Sequence, residues 1–461
     1  MVSSKLADGT RARGDTVARI RPYANRSPAL PNDRLWWICF VSFASLGFTQ
    51  VGLLFSSMGG VLAPAIFLGL WLLTAMAHPT QSIAQVVRAR LPLTLPLLAC
   101  ASTLWSRDAP YTIKIGSEFL IVMVIAVYIG HRMAPAKLIS ALTVATVMQM
   151  LASLVFNRHE DMFYAGNEAL VGVFGSKNFM GYMAALCSLL SLATVAERNQ
   201  PQLVRLVAAG GLVIGPILAL QARSLDALAA LAVGFSVALF FIFVATLPSR
   251  FRTLVIASVA VMLVATLLAF LLIGAQLGQI LELVGKDSSL TGRTILWQRA
   301  GDMIHLNPLL GVGYNAFWRQ GFVEAEGLWR QLHVDSRTGF HFHNLYYEVR
   351  VEMGLVGVLV WGTFMASTVI ACLIRVLREP SPSTAFFIGF TLFTLARMWL
   401  EVEMMGPFDL APILFAIGWT YATAPQPMAR AGATPPRRPQ NMPMLEVATT
   451  QDLPRPKTRA L

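Results

Sequence analysis

The chain has 461 residues, of which 56% are hydrophobic and only 13% are charged. A soluble domain carries about 45–50% apolar and about 25% charged residues, so this composition excludes a soluble globule, a disordered chain and a coiled coil. A net charge of +12 would suggest a nucleic-acid partner in a soluble protein, but in a membrane protein the side on which the charges lie decides their meaning.

Twelve apolar segments are candidates for membrane-spanning helices, because a helix needs roughly 20 mainly apolar residues to cross a bilayer. In chain order they lie at about 35–56, 61–77, 91–105, 112–130, 135–156, 178–195, 203–221, 225–247, 253–280, 343–374, 384–400 and 407–424. No cleavable signal peptide precedes the first span, which is therefore expected to be an uncleaved anchor. The predicted fold is an all-α, polytopic membrane bundle of about 12 transmembrane helices.

The distribution of charge supports this division. With a cytoplasmic N-terminus, and with two of the cytoplasmic connections counted as 131–137 and 196–205, 23 of the 36 Lys and Arg residues fall on the cytoplasmic side, 10 on the outer side and 3 elsewhere within spans. Every cytoplasmic connection counted in this way carries at least two cations, as the positive-inside bias requires. The resulting net charge is strongly positive on the cytoplasmic side and slightly negative on the outer side. Both termini are therefore predicted to be cytoplasmic, and no nucleic-acid partner is expected.

The predicted domain organisation has three parts. A basic cytoplasmic tail at 1–34 precedes the transmembrane domain at 35–424, and a second basic cytoplasmic tail follows at 425–461. The second tail lacks apolar periodicity and is expected to be disordered. The four cysteines lie far apart in apolar segments, which provides neither a disulfide framework nor zinc-ligand spacing.

One outer segment, 281–342, is much longer than the others, and long connections in compact proteins are usually functional. Apolar residues at helical spacing predict a short amphipathic helix over 294–305 that lies on the outer surface. Asn307-Pro308 should end it, and Gly311-Val-Gly313 should form a turn. Residues 316–318 are predicted to form an aromatic anchor at the membrane interface.

The start of the tenth span is unusually polar. Charges inside a span are costly and are functional candidates by default. Helical spacing would place the residues at the start of this span on two adjacent faces of the helix. One face carries His343, Tyr347, Arg350 and Gly354, and the other carries Asn344, Glu348 and Glu352. The alternative is a structural ion-pair network in which Glu348, Arg350 and Glu352 pair with Arg397 or Lys114.

Two arginines and one histidine are the strongest site candidates. Arg223 occupies a very short outer connection, where a cation is disfavoured, so it either pairs with Asp226 beside a helix-capping Ser224 or binds an anionic ligand. Arg293 begins the predicted surface helix and could act together with Arg223. With His343, the two arginines would suit a reaction that has an anionic leaving group and a hydroxyl nucleophile. The His-x-His pair alone is a weak metal signal.

Six motifs follow one another along the chain. They are Leu104-Trp-Ser-Arg-Asp-Ala-Pro110, Gly175-Ser-Lys-Asn178, Gln221-Ala-Arg-Ser224, Gly292-Arg-Thr-Ile-Leu-Trp297, Asn307-Pro-Leu-Leu-Gly-Val-Gly313 and His343-Asn-Leu-Tyr-Tyr-Glu-Val-Arg-Val-Glu-Met-Gly-Leu-Val-Gly357. Their order resembles that of the O-antigen ligase superfamily of bacterial membrane glycosyltransferases. The match extends from about residue 90 to 420. Asn315-Ala-Phe-Trp-Arg319 and Glu324-Ala-Glu-Gly-Leu-Trp329 make the chain most similar to the exopolysaccharide polymerases.

The resemblance implies transfer of an oligosaccharide from a polyprenyl diphosphate to a hydroxyl of an acceptor glycan or glycolipid, without cofactor or metal. The residues it implies are His343, Arg223 and Arg293 as catalytic residues and Lys177, Asn344, Glu348 and Arg350 as substrate-binding residues. It further implies that the protein is located in the bacterial inner membrane and that its site faces the periplasm. A flippase and a chain-length regulator are the possible partners that it implies.

Two other functions stay open at this point. A ligase that attaches the glycan to the lipid A core would use the same outer residues. An ion-coupled transporter could use Glu348, Arg350, Glu352 and Arg397 as an ion path, but the sequence has no internal repeat and no predicted pair of Gly- or Pro-broken helices, and its polar residues are concentrated on one side.

Overall fold

The computed structural model describes residues 32–47, 59–77, 79–161, 168–258, 293–337 and 340–424. Contacts group Ser27–Ala424 as one unit, and the account below concerns that unit. Almost all of the predicted tail 1–34, the whole tail 425–461, most of the predicted ninth span and the first residues of the outer segment lie outside the described residues.

The described residues are overwhelmingly helical. The helices with defined bounds are α1 (Asn32–Gly47), α2 (Gly59–Met76), α3 (Pro79–Arg88), α4 (Arg90–Ala101), α5 (Ala109–Arg132), α6 (Pro135–Phe156), α7 (Lys177–Ala196), α8 (Gln202–Gln221), α9 (Leu225–Thr246), α10 (Arg293–Leu306), α11 (Val323–Gln331), α12 (Leu345–Arg378), α13 (Pro382–Arg397) and α14 (Leu410–Thr423). Residues 249–258 are also helical. Strands β1 (His159–Asp161) and β2 (Glu168–Leu170) pair antiparallel, with His159 opposite Leu170.

The prediction of an all-α polytopic membrane protein is confirmed. Six helices of the described part, α5 to α9 and α12, are long and apolar enough to cross a membrane, and α1, α2, α4 and α14 contain shorter apolar helices. Eleven of the twelve predicted spans coincide with a described helix; the exception is the segment at 253–280. Helix α3 lies where the sequence analysis expected only a cytoplasmic connection.

Helix α7 lies at the centre of the bundle, with α6, α8, α9 and α13 packed around it. Helices α9 and α13 approach unusually closely because glycines face each other. A Cβ on Gly234 would lie 2.8 Å from the carbonyl oxygen of Gly389, and a Cβ on Gly389 would lie 2.7 Å from that of Gly234. Small residues at such a contact let membrane helices pack backbone to backbone. This contact holds together the two helices that carry Asp226 and Arg397.

Helix α12 is interrupted one third of the way along, which the sequence analysis did not expect. Gly354 has φ 64° and ψ −157°, a conformation that essentially only glycine adopts. The residues after Asn307-Pro308 occupy the break. Val312 and Gly313 donate their N–H groups to the carbonyls of Val351 and Glu352, at 3.0 and 2.8 Å.

Hydrogen bonds also run in the opposite direction across this break. Leu355 and Val356 donate to the carbonyls of Pro308 and Leu309, at 3.0 and 3.2 Å. Every backbone group buried at membrane depth needs a partner, and the outer segment supplies the partners that the interrupted helix lacks. The break therefore anchors the outer segment to α12.

The outer segment packs around its own aromatic cluster. Helix α10 begins at Arg293 and ends at Leu306, as the amphipathic pattern and Asn307-Pro308 predicted. It buries its apolar side chains with those of α11 and with Phe317 and Phe342. The predicted membrane anchor at 316–318 is wrong, because Phe317 is buried within this cluster, Trp318 packs against it and Ala316 is also buried.

Candidate functional site

Glu401 is the centre of a polar site at the helix ends that lie next to the outer segment. It lies in the connection between α13 and α14 and is only 5% exposed. Its Oε1 accepts a hydrogen bond from Asn178 Nδ2 at 2.7 Å and lies 3.4 Å from His343 Nδ1 and 3.5 Å from Arg293 Nη2. Its Oε2 lies 3.6 Å from His341 Nε2. One carboxylate thus faces four potential donors.

These donors come from separate parts of the chain. Asn178 is in the first turn of α7, which Ser176 caps by accepting a hydrogen bond from the N–H of Phe179. Arg293 is the first residue of α10. His343 precedes the N-cap of α12 and has φ 51°, so it lies outside the helix, and the predicted common face with Tyr347 is wrong. The left-handed backbone turns His343 towards Glu401.

The hydrogen bonds assign the protons of the two histidines. The N–H of His343 donates to His341 Nδ1 at 3.1 Å, so neutral His341 carries its proton on Nε2, which faces Glu401. The Nδ1 of His343 also faces Glu401. With its proton on Nδ1, His343 presents a free Nε2 as an acceptor.

The charge states follow from the surroundings. Burial lowers the pKa of His341 to about 3, because a protonated imidazole would be desolvated there and would also be repelled by Arg293. Burial alone would raise the pKa of Glu401, but the hydrogen bond with His343 and the positive charge of Arg397 help to lower that pKa to about 2. At neutral pH the site therefore contains an anionic Glu401 and a neutral His341.

His341, His343 and Glu401 are also close enough to be metal ligands, with their ligand atoms within 4.8 Å of one another. Coordination through His341 Nε2 would require that nitrogen to lose its proton, which conflicts with the backbone hydrogen bond to Nδ1. The guanidinium of Arg293 would also repel a cation. These donors fit a hydrogen-bonded carboxylate better than a metal centre.

Arg223 lies in the tight turn between α8 and α9, where it is exposed and has φ 49°. The predicted alternative pairing with Asp226 is wrong, because Asp226 Oδ2 forms an ion pair with Arg397 Nη1 at 2.8 Å. Ser224 is the N-cap residue of α9 but makes no capping hydrogen bond; its Oγ instead donates to Asp226 Oδ1 at 2.6 Å. The Arg223 guanidinium is therefore not held by Asp226.

Comparison with known proteins agrees with the order of motifs in the sequence. Residues 224–362 match the family model described as O-antigen ligase. The chain is also 28% identical over 383 residues to the exopolysaccharide production protein ExoQ of Rhizobium meliloti (strain 1021), an alignment that covers 82% of this chain and 87% of ExoQ. The chain is therefore similar to proteins of the O-antigen ligase superfamily. The expected resemblance is thereby confirmed.

The match to the O-antigen ligase model and the similarity to ExoQ, together with the candidate membrane spans, support a multi-pass membrane enzyme that acts on glycans as a polymerase or ligase. The matched ligase segment contains Arg293 and His343. Glu401 and Asn178, which complete the polar site, lie outside it, although the alignment with ExoQ covers most of the chain.

The remaining predicted site residues differ in position. Lys177 is the first residue of α7, next to Asn178. Asn344 caps α12, because its Oδ1 accepts from the N–H groups of Tyr346 and Tyr347 while its Nδ2 donates to the carbonyl of Trp399. Asn344 thus fixes the segment that follows His343.

Glu348 and Arg350 hold the outer segment against α12. Glu348 accepts hydrogen bonds from the N–H of Phe342 and from Trp318 Nε1, at 2.8 and 3.1 Å. Arg350 donates to the carbonyl of Pro308 at 2.8 Å. The predicted ion-pair network is wrong: among the described residues no ion pair joins Glu348, Arg350 or Glu352 to Arg397 or Lys114, and Arg397 pairs with Asp226 and Glu403 instead.

Proposed function

We propose that this protein transfers an oligosaccharide from a polyprenyl diphosphate to a hydroxyl group of an acceptor glycan and so polymerises exopolysaccharide repeat units. The observation that carries the proposal is His343 beside Glu401 and Arg293 at the outer end of the bundle. A base with a free nitrogen and a nearby guanidinium match the two needs of this reaction, a proton acceptor and a counter-charge for a diphosphate.

In the proposed reaction the acceptor hydroxyl oxygen attacks the anomeric carbon of the donor sugar. The bond between that carbon and the diphosphate oxygen breaks, and the electron pair leaves with the lipid diphosphate. The hydroxyl proton moves to His343 Nε2. Arg293, Arg223 and Lys177 supply positive charge for the diphosphate, and guanidinium groups suit phosphate because they donate in pairs.

Glu401 completes the proposed mechanism. An anionic carboxylate next to His343 Nδ1 fixes the tautomer that leaves Nε2 free, and it stabilises the imidazolium formed when the hydroxyl loses its proton. Asn178 orients the carboxylate by donating to its Oε1, and His341 Nε2 faces its Oε2. Asn344 and Glu348 act on the substrate site indirectly, by holding the segments on either side of His343.

The alternative within the same class is a ligase that attaches the glycan to the lipid A core. Similarity to ExoQ, named an exopolysaccharide production protein, favours the polymerase. A transporter is disfavoured because the break in α12 is filled by the outer segment rather than lining an ion site, as discontinuous transporter helices do.

We place the proposed reaction on the periplasmic side of the bacterial inner membrane, with both termini in the cytoplasm. The positive-inside distribution of Lys and Arg supports this orientation. A flippase that delivers the donor and a chain-length regulator are the partners that a polymerase would need.

The proposal is tested with purified protein, a polyprenyl-diphosphate oligosaccharide and an acceptor glycan. Wild type should release the lipid diphosphate and elongate the acceptor, whereas His343→Ala should abolish both. His305→Ala is the matched control, because His305 is an exposed histidine of the same outer segment and should leave transfer unchanged. Wild-type turnover by a folded His343→Ala variant would contradict the assignment.

The same assay separates polymerase from ligase through the acceptor. A polymerase should elongate a second molecule of polyprenyl-diphosphate oligosaccharide without any core glycolipid. Transfer only when lipid A core is present would favour the ligase.

A further inference from the structure

Arg397 is a fully buried cation that joins two carboxylates. Its side chain is 2% exposed. Its Nη1 lies 2.8 Å from Asp226 Oδ2, and its Nε donates to Glu403 Oε1 at 2.7 Å. Asp226 lies in the first turn of α9 and Arg397 ends α13, so the ion pair connects the starting turn of one span to the outer end of another.

A chain of polar contacts runs from this ion pair to the proposed reaction site. Ser224 Oγ donates to Asp226 Oδ1 at 2.6 Å and also lies 3.5 Å from Asn178 Oδ1. Asn178 Nδ2 in turn donates to Glu401 Oε1 at 2.7 Å. The chain therefore links the residue directly after Arg223 to the carboxylate that faces His343.

The turn that carries Arg223 needs such a support. Arg223 has a left-handed backbone, φ 49°, which costs free energy for a residue with a side chain. It stands exposed between Ala222 and Ser224, which are both buried. Its own position is thus set by neighbours that are fixed in the protein interior, of which Ser224 is tied to Asp226.

We propose that Asp226 and Arg397 form a positioning pair that, through Ser224, holds the Arg223 turn in place relative to Glu401 and His343. The inference rests on the proposed function, in which Arg223 binds the donor diphosphate. A buried ion pair is seldom needed for stability alone, since apolar replacements are often equally stable. Its position at the base of this turn gives it a role in substrate binding.

The test measures kcat and KM for the polyprenyl-diphosphate oligosaccharide in a double-mutant cycle. Ser224→Ala and Asp226→Asn should each raise KM for this donor, with about a tenfold loss of kcat/KM, and Arg223→Lys should lose a similar factor through its bidentate contact. Because both changes act on one guanidinium, Ser224→Ala combined with Arg223→Lys should stay near a tenfold loss rather than reach about a hundredfold.

Thr143→Val is the matched control. It removes a buried hydroxyl contact between α6 and α7, in which Thr143 and Thr194 lie 2.7 Å apart, and it should leave kcat/KM unchanged. All variants are compared by thermal unfolding. Ser224→Ala keeps both ion-pair partners, so it decides the question if Asp226→Asn does not fold.

Three results would overturn the inference: a multiplicative hundredfold loss in the double variant, an unchanged KM in Ser224→Ala, or an equal loss in Thr143→Val. Each of them leaves the proposed function standing if wild type still transfers the oligosaccharide. Failure of wild type to use this donor would instead contradict the proposed function, and the inference with it.

Discussion

Glu401 concentrates negative charge where several donors converge, and its pKa of about 2 keeps it ionised throughout the physiological range. Removing that charge tests its role directly. Glu401→Gln keeps the size of the side chain and one acceptor oxygen but no longer stabilises an imidazolium at His343. We expect kcat to fall by a factor on the order of 10² or more, as when a carboxylate that orients a catalytic histidine is neutralised. Steady-state turnover of the purified variant measures this.

Glu324→Gln is the control for this prediction. Glu324 is an acid of the same outer segment and pairs with Arg107 at 3.2 Å on a solvated surface. Exposed pairs contribute little, so its turnover should match wild type. A Glu401→Gln variant as active as Glu324→Gln would remove Glu401 from the mechanism.

The depressed pKa of His341, about 3 against an ordinary 6.5, predicts a pH-dependent stability. Between pH 6.5 and 4 the unfolded chain takes up a proton at this residue that the folded protein does not bind. The free energy of unfolding therefore falls as the pH falls through this window, by at most about 1.4 kcal/mol per pH unit. Above pH 6.5 the residue is neutral in both states and this contribution is constant.

His341→Gln should remove that contribution while it keeps a side-chain donor for Glu401. Its thermal unfolding midpoint should decline less than that of wild type between pH 6.5 and 4, measured in the same detergent. Parallel declines in the two proteins would contradict the assigned protonation state.

At the scale of elements, local pattern predicted what depends on local chemistry. The helix over 294–305 and its end at Asn307-Pro308 follow from apolar spacing and from a residue that cannot continue a helix. The break in α12 was not predicted because the residues around Gly354 keep helical spacing. The backbone groups that the break leaves without helical partners form hydrogen bonds with residues 308–313, some 40 residues earlier in the chain.

Gly354→Ala tests the break. A Cβ there would lie 2.2 Å from the backbone of Leu309, and the alanine would have to adopt φ 64°. We therefore expect the free energy of unfolding to fall by at least about 3 kcal/mol. Gly362→Ala, in the same helix with nothing within 4 Å of the added Cβ, should be neutral or slightly stabilising. Thermal unfolding of the two variants compares them, and equal midpoints would contradict the role of Gly354.

The site was predicted in part for a similar reason. His343 and Arg293 are unusual at their positions in sequence, a histidine and a cation at the outer edge of a membrane protein, and the structure brings them together around one carboxylate. Glu401 was missed because it directly follows a predicted span and looks like an ordinary helix-end acid. The sequence signal that was available is an acidic residue in the short connection between two apolar spans, but only the tertiary structure shows which groups this acid faces.

At the scale of the whole molecule, the charge distribution predicts the orientation of the chain. Gly327 lies in the outer segment and Asn199 in a predicted cytoplasmic connection, and both are exposed. On a background without the four native cysteines, Gly327→Cys should react with a membrane-impermeant maleimide in cells whose outer membrane alone is permeabilised. Asn199→Cys should react only after the inner membrane is opened. The reverse pattern would invert the topology.

The backbone exchange across the α12 break has a consequence for protein engineering. Because the carbonyls of Val351 and Glu352 are satisfied by residues from 308–313, the outer segment and this helix constitute one exchangeable module. A chimera that borrows the outer segment of a relative to alter acceptor choice should therefore be joined after α12 rather than before it. A junction at 344 would combine α12 of this protein with the outer segment of a relative, and the backbone hydrogen bonds between the two would not be matched.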